Sequence, residues 1–412
     1  MLRKIAVLTT ALVVLTGCST GSEPDSSSTS PTIATTSDAT TPSTADGSTS
    51  TESTQPETSS SAPTSTAPPA PAPAEVLDSM SLEEKVGQLL MVDCPSDQVA
   101  DATVNALDEY YVGSVILDGT NDLSVAQVKA ITRKLQSHSA DNAKLFISTD
   151  QEGGEVQRLQ GSGFDTIPSA VQQGQLDPTL LQQDATQWGK QLKSAGVNVD
   201  LAPVLDIVPA NFGSNPPIGD LDREFGHTPN GVSRQGLAVV KGLAAAGVDA
   251  TVKHFPGLGR VRGNTDTTAG VTDNKTTVND PYLQPFADAV QAGVPFVMVS
   301  SATYAKIDAH NPAAFSKPVI TTLLRGKLGF NGVVISDDLG SAQAVAAFTP
   351  GERAVNFIAA GGDMVLTVDS SLVPAMTAAL IAKAQSDDAF KAQLNQSVLR
   401  VLTAKAKLKL LR

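Results

Sequence analysis

A (β/α)8 barrel is the fold that the sequence predicts for residues 75–412, and three observations predict it. Eight short β-branched runs alternate with Ala-rich amphipathic stretches. The runs are almost continuously apolar, as strands must be when a parallel sheet is covered on both faces. Several runs follow a glycine, which suits a helix C-cap feeding straight into a buried strand. These glycines are Gly113, Gly196, Gly247, Gly293, Gly332 and Gly362. A doubly wound open sheet is the fallback, but no G-x-G-x-x-G follows the first strand.

Taken in order, residues 1–17 begin with Arg3 and Lys4 and continue as a short apolar run, Ile5 to Leu15. That run is too short to span a bilayer and suits a secretory signal. It ends in Leu15-Thr16-Gly17-Cys18, which resembles a bacterial lipobox. Cys18 is therefore expected to be lipidated and to hold the protein on the membrane, outside the cytoplasm. Residues 18–74 are Ser, Thr, Pro and Ala with scattered acids, and no Lys or Arg lies between Lys4 and Lys85. Such a segment buries too little apolar area to offset its ordering entropy, so a disordered tether is expected.

The barrel begins with Ser81-Leu82-Glu83-Glu84, a capping box that opens a helix. The strand candidates are Leu89–Asp93, Ser114–Leu117, Leu145–Thr149, Val197–Leu201, Ala250–Lys253, Phe296–Ser300, Val333–Ser336 and Met364–Val368. Helical stretches between them include Ser124–Gln136, Leu180–Lys193, Val232–Ala245 and Gly351–Ala360.

Composition excludes several functions. A net charge of −13 argues against a general nucleic-acid binder, which needs a basic surface to displace counterions. Two Cys cannot build a disulfide framework or a Cys-rich zinc site. The four His form no i, i+4 pair, and the acids form no EF-hand. Neither metal nor cofactor is implied, and a monomer is expected.

In a barrel of this kind the C-terminal strand ends carry the chemistry. Here they deliver Thr149-Asp150-Gln151-Glu152, Asp206, Lys253-His254, Ser300-Ser301, Ser336-Asp337-Asp338 and Asp369 to one rim. Core packing does not call for carboxylates at these places, since burying them unpaired is costly.

Four segments carry a family resemblance: Ser81–Gln88, Asp150-Gln151-Glu152-Gly153-Gly154, Lys253-His254-Phe255-Pro256-Gly257 and Ile335-Ser336-Asp337-Asp338-Leu339. Together they resemble the N-terminal domain of glycoside hydrolase family 3. Within it the chain is similar to the single-domain bacterial β-N-acetylglucosaminidases that recycle cell wall. The resemblance implies a retaining exo-glycosidase that releases terminal GlcNAc from peptidoglycan-derived fragments. It implies Asp337 as the nucleophile that forms a covalent glycosyl-enzyme. It implies Asp150, Arg158, Arg223, Lys253 and His254 as sugar-binding residues, and a pyranose ring of hydroxyls suits such alternating carboxylates and cations.

One departure stands out. In that subgroup the Lys-His-Phe-Pro-Gly strand is followed by a loop with Asp-Ser-His, whose His is the general acid/base. This chain has Asp266 at the Asp position and Thr268 where the His should be. A Thr hydroxyl is far too weak an acid for the role. Asp266 is therefore expected to swing over the sugar on a flexible loop and act alone, with Asp273 in reserve. A related pocket could also bind β-glucosides or β-xylosides, and the altered loop leaves open a lipid-anchored glycan-binding protein without catalysis.

Overall fold

A computed structural model describes residues 71–412 of the chain. The signal segment, Cys18 and nearly all of the tether lie outside the described residues. The first described helix, Pro73–Ser79, starts two residues before the expected end of the tether.

The eight barrel strands are β1 (Leu90–Pro95), β2 (Ser114–Asp118), β3 (Phe146–Thr149) and β4 (Val199–Asp200), then β5 (Asp249–Phe255), β6 (Phe296–Val299), β7 (Val333–Ser336) and β8 (Val365–Thr367). Each coincides with a predicted run to within a few residues. Every neighbouring pair is parallel, in the order β7-β6-β5-β4-β3-β2-β1-β8. The sheet closes through a parallel bridge from Ile335 to Met364, where the Ser336 N–H donates to Met364 O at 2.9 Å. The fold is thus a (β/α)8 barrel. Closure removes the free edges that an open sheet would expose.

The predicted helices form where their caps dictate. Ser81 and Glu84 exchange side-chain and backbone hydrogen bonds to open Leu82–Gly87. Ser124 precedes Val125–Gln136, and Thr349 caps Pro350–Ala360. Asp177-Pro178 and Thr228-Pro229 each pair a side-chain cap with a proline at the first helical position, extending two helices to Pro178–Ala195 and Pro229–Ala246.

The glycine reading is corrected in part. Gly196 and Gly247 are left-handed C-caps, at φ 87° and 76°. The helix Pro350–Ala360 uses Gly361 in place of Gly362, and Tyr111 caps the helix before Gly113. Gly113 and Gly332 are needed for close approach. A Cβ on Gly113 would meet Gln88 Oε1 at 2.6 Å, and one on Gly332 would meet Pro295 O at 2.4 Å.

The barrel interior is filled by side chains. Phe146 on β3 and Phe296 on β6 come from opposite walls and meet edge to face, 5.3 Å between ring centres. Beneath them the helix Asp388–Lys407 inserts Lys405, which is fully buried. Its ammonium donates to Gln88 Oε1 at 2.6 Å and Gly113 O at 2.9 Å, and lies 5.3 Å from the Phe146 ring centre. It has no carboxylate partner among the described residues.

Desolvation pushes the Lys405 ammonium down to about 7 from its ordinary 10.5. The unfolded chain therefore binds an extra proton between these values, so this group's contribution to stability rises with pH over that window. Thermal unfolding of the parent and Lys405→Met chains from pH 6.5 to 10 checks this. The parent should gain on the variant as pH rises, by on the order of a few kcal/mol in total. A pH-independent difference would mean that Lys405 titrates normally.

Candidate active site

The C-terminal ends of the strands open on a cavity of about 360 Å³, lined by Asp118, Asp150, Arg158, Arg223, Lys253, His254, Asp266 and Asp337 among others. All seven side chains expected in the site face this one cavity.

Its floor is a buried charge cluster. Strand β3 continues into a short hairpin, Gln151–Gly153 with Val156–Gln157, which presents Asp150 and Glu152. Strand β5 shifts register between Val252 and Phe255, which lets the consecutive side chains Lys253 and His254 both face the cavity. The Lys253–His254 peptide bond is cis. Lys253 donates to Asp150 Oδ1 at 2.5 Å and lies 2.6 Å from Glu152 Oε1. Arg223 grips Glu152 with two parallel hydrogen bonds, 2.8 and 2.7 Å long, and donates to Pro217 O at 2.7 Å.

Burial opposes the charge on Glu152, but Arg223 and Lys253 override it and hold the carboxyl far below the usual range. Desolvation likewise opposes the charge on Lys253, and Asp150 and Glu152 override it to raise that ammonium. Glu152 is a residue that motif reading quoted without a role. It fixes the two cations Arg223 and Lys253 at the floor of the cavity.

Asp206 is a second such residue. It is fully buried and accepts from His254 Nδ1 at 2.7 Å, and from the backbone N–H groups of His254 and Leu258 at 3.2 and 2.8 Å. With Nδ1 taken, the imidazole keeps Nε2 for the cavity.

The reactive carboxylate candidate sits at the end of β7. Among the described residues, Asp337 accepts only the N–H of Asp338, at 2.9 Å. Burial and the charge of Asp266 raise its pKa to about 6, against the pull of His254. Asp338 has a different task. Its carboxylate is spent on the backbone N–H groups of Gly340, Ser341, Ala342 and Val368, at 2.8 to 3.1 Å. It shapes the turn that carries Asp337.

Asp266 reaches the same cavity from the loop after β5. Asp266 is exposed as a residue; partial desolvation of its carboxyl raises it, and Asp338 and Asp150 add to this against the charges of His254 and Arg223. The structure shows the loop at the cavity, held by main-chain bonds. Gln343 N–H donates to Asp266 O at 3.1 Å, and Ala344 N–H donates to Thr265 O at 3.0 Å. The buried Asn215 amide ties down Leu258 O and Val261 O, both at 2.9 Å. Thr268 is exposed and is not part of the lining.

Asp273 is removed from consideration. It is fully buried, and its carboxylate is consumed by Lys275 N–H, Thr276 N–H and the Thr276 hydroxyl at 2.6 to 2.9 Å. Its position in a small three-stranded sheet, Thr272–Asp273, Thr303–Tyr304 and Asp308–Pro312, explains this.

Arg158 faces the cavity with no side-chain hydrogen bond, its Nε 3.8 Å from Asp118 Oδ1. Asp118 ends β2 and was not singled out in the sequence.

The arrangement provides two acids with raised pKa values, a His–Asp pair and a cluster of fixed cations around one sugar-sized space. The model of the glycosyl hydrolase family 3 N-terminal domain matches residues 81–404. A β-N-acetylhexosaminidase structure from Beutenbergia cavernae is 46% identical with a TM-score of 0.79, covering 79% of this chain and 99% of that one. A family 3 β-N-acetylglucosaminidase from a Paenibacillus species is 34% identical with a TM-score of 0.75, covering 81% of this chain and 63% of that one. A β-hexosaminidase from Bordetella avium is 35% identical over 286 residues, 67% of this chain and 79% of the relative. The chain belongs to glycosyl hydrolase family 3 and is a glycoside hydrolase of the hexosaminidase type.

Proposed function

We propose that the protein is a retaining exo-β-N-acetylglucosaminidase that releases terminal GlcNAc from peptidoglycan-derived fragments. Asp337 carries the reading. It is an almost unpartnered carboxylate at the end of β7, facing the ring of sugar-binding groups.

In the first step Asp337 attacks the anomeric carbon while Asp266 protonates the departing glycosidic oxygen. In the second, Asp266 takes a proton from water as that water displaces Asp337, and configuration is retained. The raised pKa of Asp266 supports its starting as the acid, since a carboxyl must hold its proton to donate it. Lys253, His254, Arg223, Arg158 and Asp150 hold the sugar hydroxyls. The names of the relatives from Beutenbergia, Paenibacillus and Bordetella support the 2-acetamido sugar.

The test is hydrolysis of an aryl β-N-acetylglucosaminide beside the matching β-glucoside and β-xyloside. The acetamido substrate should be preferred, with the β-anomer as first product by proton NMR. An α-anomer as first product would overturn the retaining mechanism, and preference for the glucoside would overturn the substrate. Release of GlcNAc from purified muropeptides tests the natural class.

We further infer a lipid anchor on Cys18, supported by the Leu15-Thr16-Gly17-Cys18 run and the polar segment behind it. Cys18→Ala should move the protein from the membrane fraction to the soluble fraction of the cell envelope. Unchanged partition would remove the anchor.

A further inference from the structure

Most charges in the cavity are committed before any ligand arrives. Lys253 and Arg223 are ion-paired with Asp150 and Glu152, with N–H donors to spare, and His254 is held by Asp206. Asp118 and Arg158 differ. They approach no nearer than 3.8 Å, beyond hydrogen-bond reach, and the guanidinium makes no hydrogen bond at all among the described residues. Asp118 Oδ1 accepts the Gly119 N–H at 2.7 Å, which leaves Oδ2 open. Both side chains line the cavity and are about one third exposed, at 40% and 31%. An acceptor and a multiple donor therefore stand side by side with open valences.

Their place in the barrel says what they meet. In the closed ring of strands, β2 lies three steps from β7, and β3 lies four. The reacting carbon is held at the end of β7. In a pyranose the anomeric carbon and C4 face each other across the ring, so the O3–O4 edge points to the β2–β3 wall. A hydroxyl there can donate to Asp118 and accept from Arg158 at once. This rests on the reading of the cavity as a GlcNAc site.

We propose that Asp118 is a specificity-determining residue that, with Arg158, binds the hydroxyl edge of the sugar remote from the scissile bond. An axial hydroxyl at C4 leaves the plane of this pair, so the pair selects the gluco over the galacto configuration. Charge-assisted hydrogen bonds to a sugar hydroxyl are the kind a site loses heavily when one partner is removed.

The experiment measures binding and turnover for Asp118→Asn and Asp118→Ala. Asn keeps an oxygen for the Gly119 N–H, so the turn survives even if the Ala chain folds poorly. Kd for GlcNAc should rise about 10- to 100-fold in both variants. The GlcNAc-to-GalNAc ratio of kcat/KM on aryl glycosides should fall by a similar factor. The 3-deoxy and 4-deoxy analogues decide the matter. At least one should bind the parent and the variants equally, since the group that Asp118 reads is gone. If both analogues weaken in the variants as much as GlcNAc does, Asp118 does not touch that edge and the proposal falls. If the parent neither binds nor hydrolyses GlcNAc derivatives, the GlcNAc reading fails first and this one with it.

Discussion

Asp337→Asn should lower kcat by about three to six orders of magnitude, the range seen when a covalent nucleophile is removed. An amide cannot form the glycosyl ester, and no second carboxylate stands ready. Asp338 cannot substitute, because its oxygens are occupied by four backbone N–H groups. A 2-deoxy-2-fluoro sugar with a good leaving group should label a peptide containing Asp337, and label on Asp338 would overturn the assignment. The parent's pH profile adds a check with a definite sign. Asp337 must be ionised to attack, and its pKa is raised to about 6. In the free enzyme kcat/KM should therefore fall on the acid side at a pH above that of an ordinary Asp, the limb belonging to the Asp337–Asp266 pair. An acid limb near 4 would show that Asp337 is not the group that titrates.

The second large effect belongs to Asp266→Ala, and it depends on the leaving group. A sugar alkoxide departs only with a proton, whereas an activated phenolate needs little help. The variant should lose about 100- to 10,000-fold on chitobiose or a muropeptide, the usual contribution of a general acid. On a dinitrophenyl glycoside it should lose little in the first step. Azide should then restore part of its turnover by attacking the glycosyl-enzyme without base assistance. Equal losses on both substrates would take the role from Asp266. His254 would then be the group to test, since its charge acts on both Asp266 and Asp337. Asp273 no longer qualifies, being walled off behind its own turn.

The barrel was legible because each βα unit repeats the same local logic. Apolar runs of strand length, capping residues and glycines are local signals, and they sum over eight repeats. What escaped were features made by residues distant in sequence. Glu152 reads as one more polar residue after a strand, and only folding brings Arg223 and Lys253 against it. Asp206 was visible as a rim carboxylate, but its hold on His254 depends on how β4 and β5 lie together. Asp118 gave no signal, because its meaning lies in a gap to Arg158, and a gap has no signature along the chain. The glycines misled where tight packing and a left-handed turn demand the same residue, as at Gly113. The main-chain bonds from Gln343 and Ala344 to the Asp266 loop likewise join residues distant in sequence and left no local signal.

Those two main-chain bonds bear on how such an enzyme can change over generations. They fix the backbone at residues 265 and 266 against the turn that carries Asp337, without reference to the side chain at position 266. If Asp266 is the proton donor proposed above, it is a replaceable part on a fixed mount. Exchanging it alters how acidic the donor is without requiring the mount to be rebuilt. Neighbouring positions 267–269 point into solvent and are free to drift, whereas Gly270, at φ 67°, is held to glycine by its backbone.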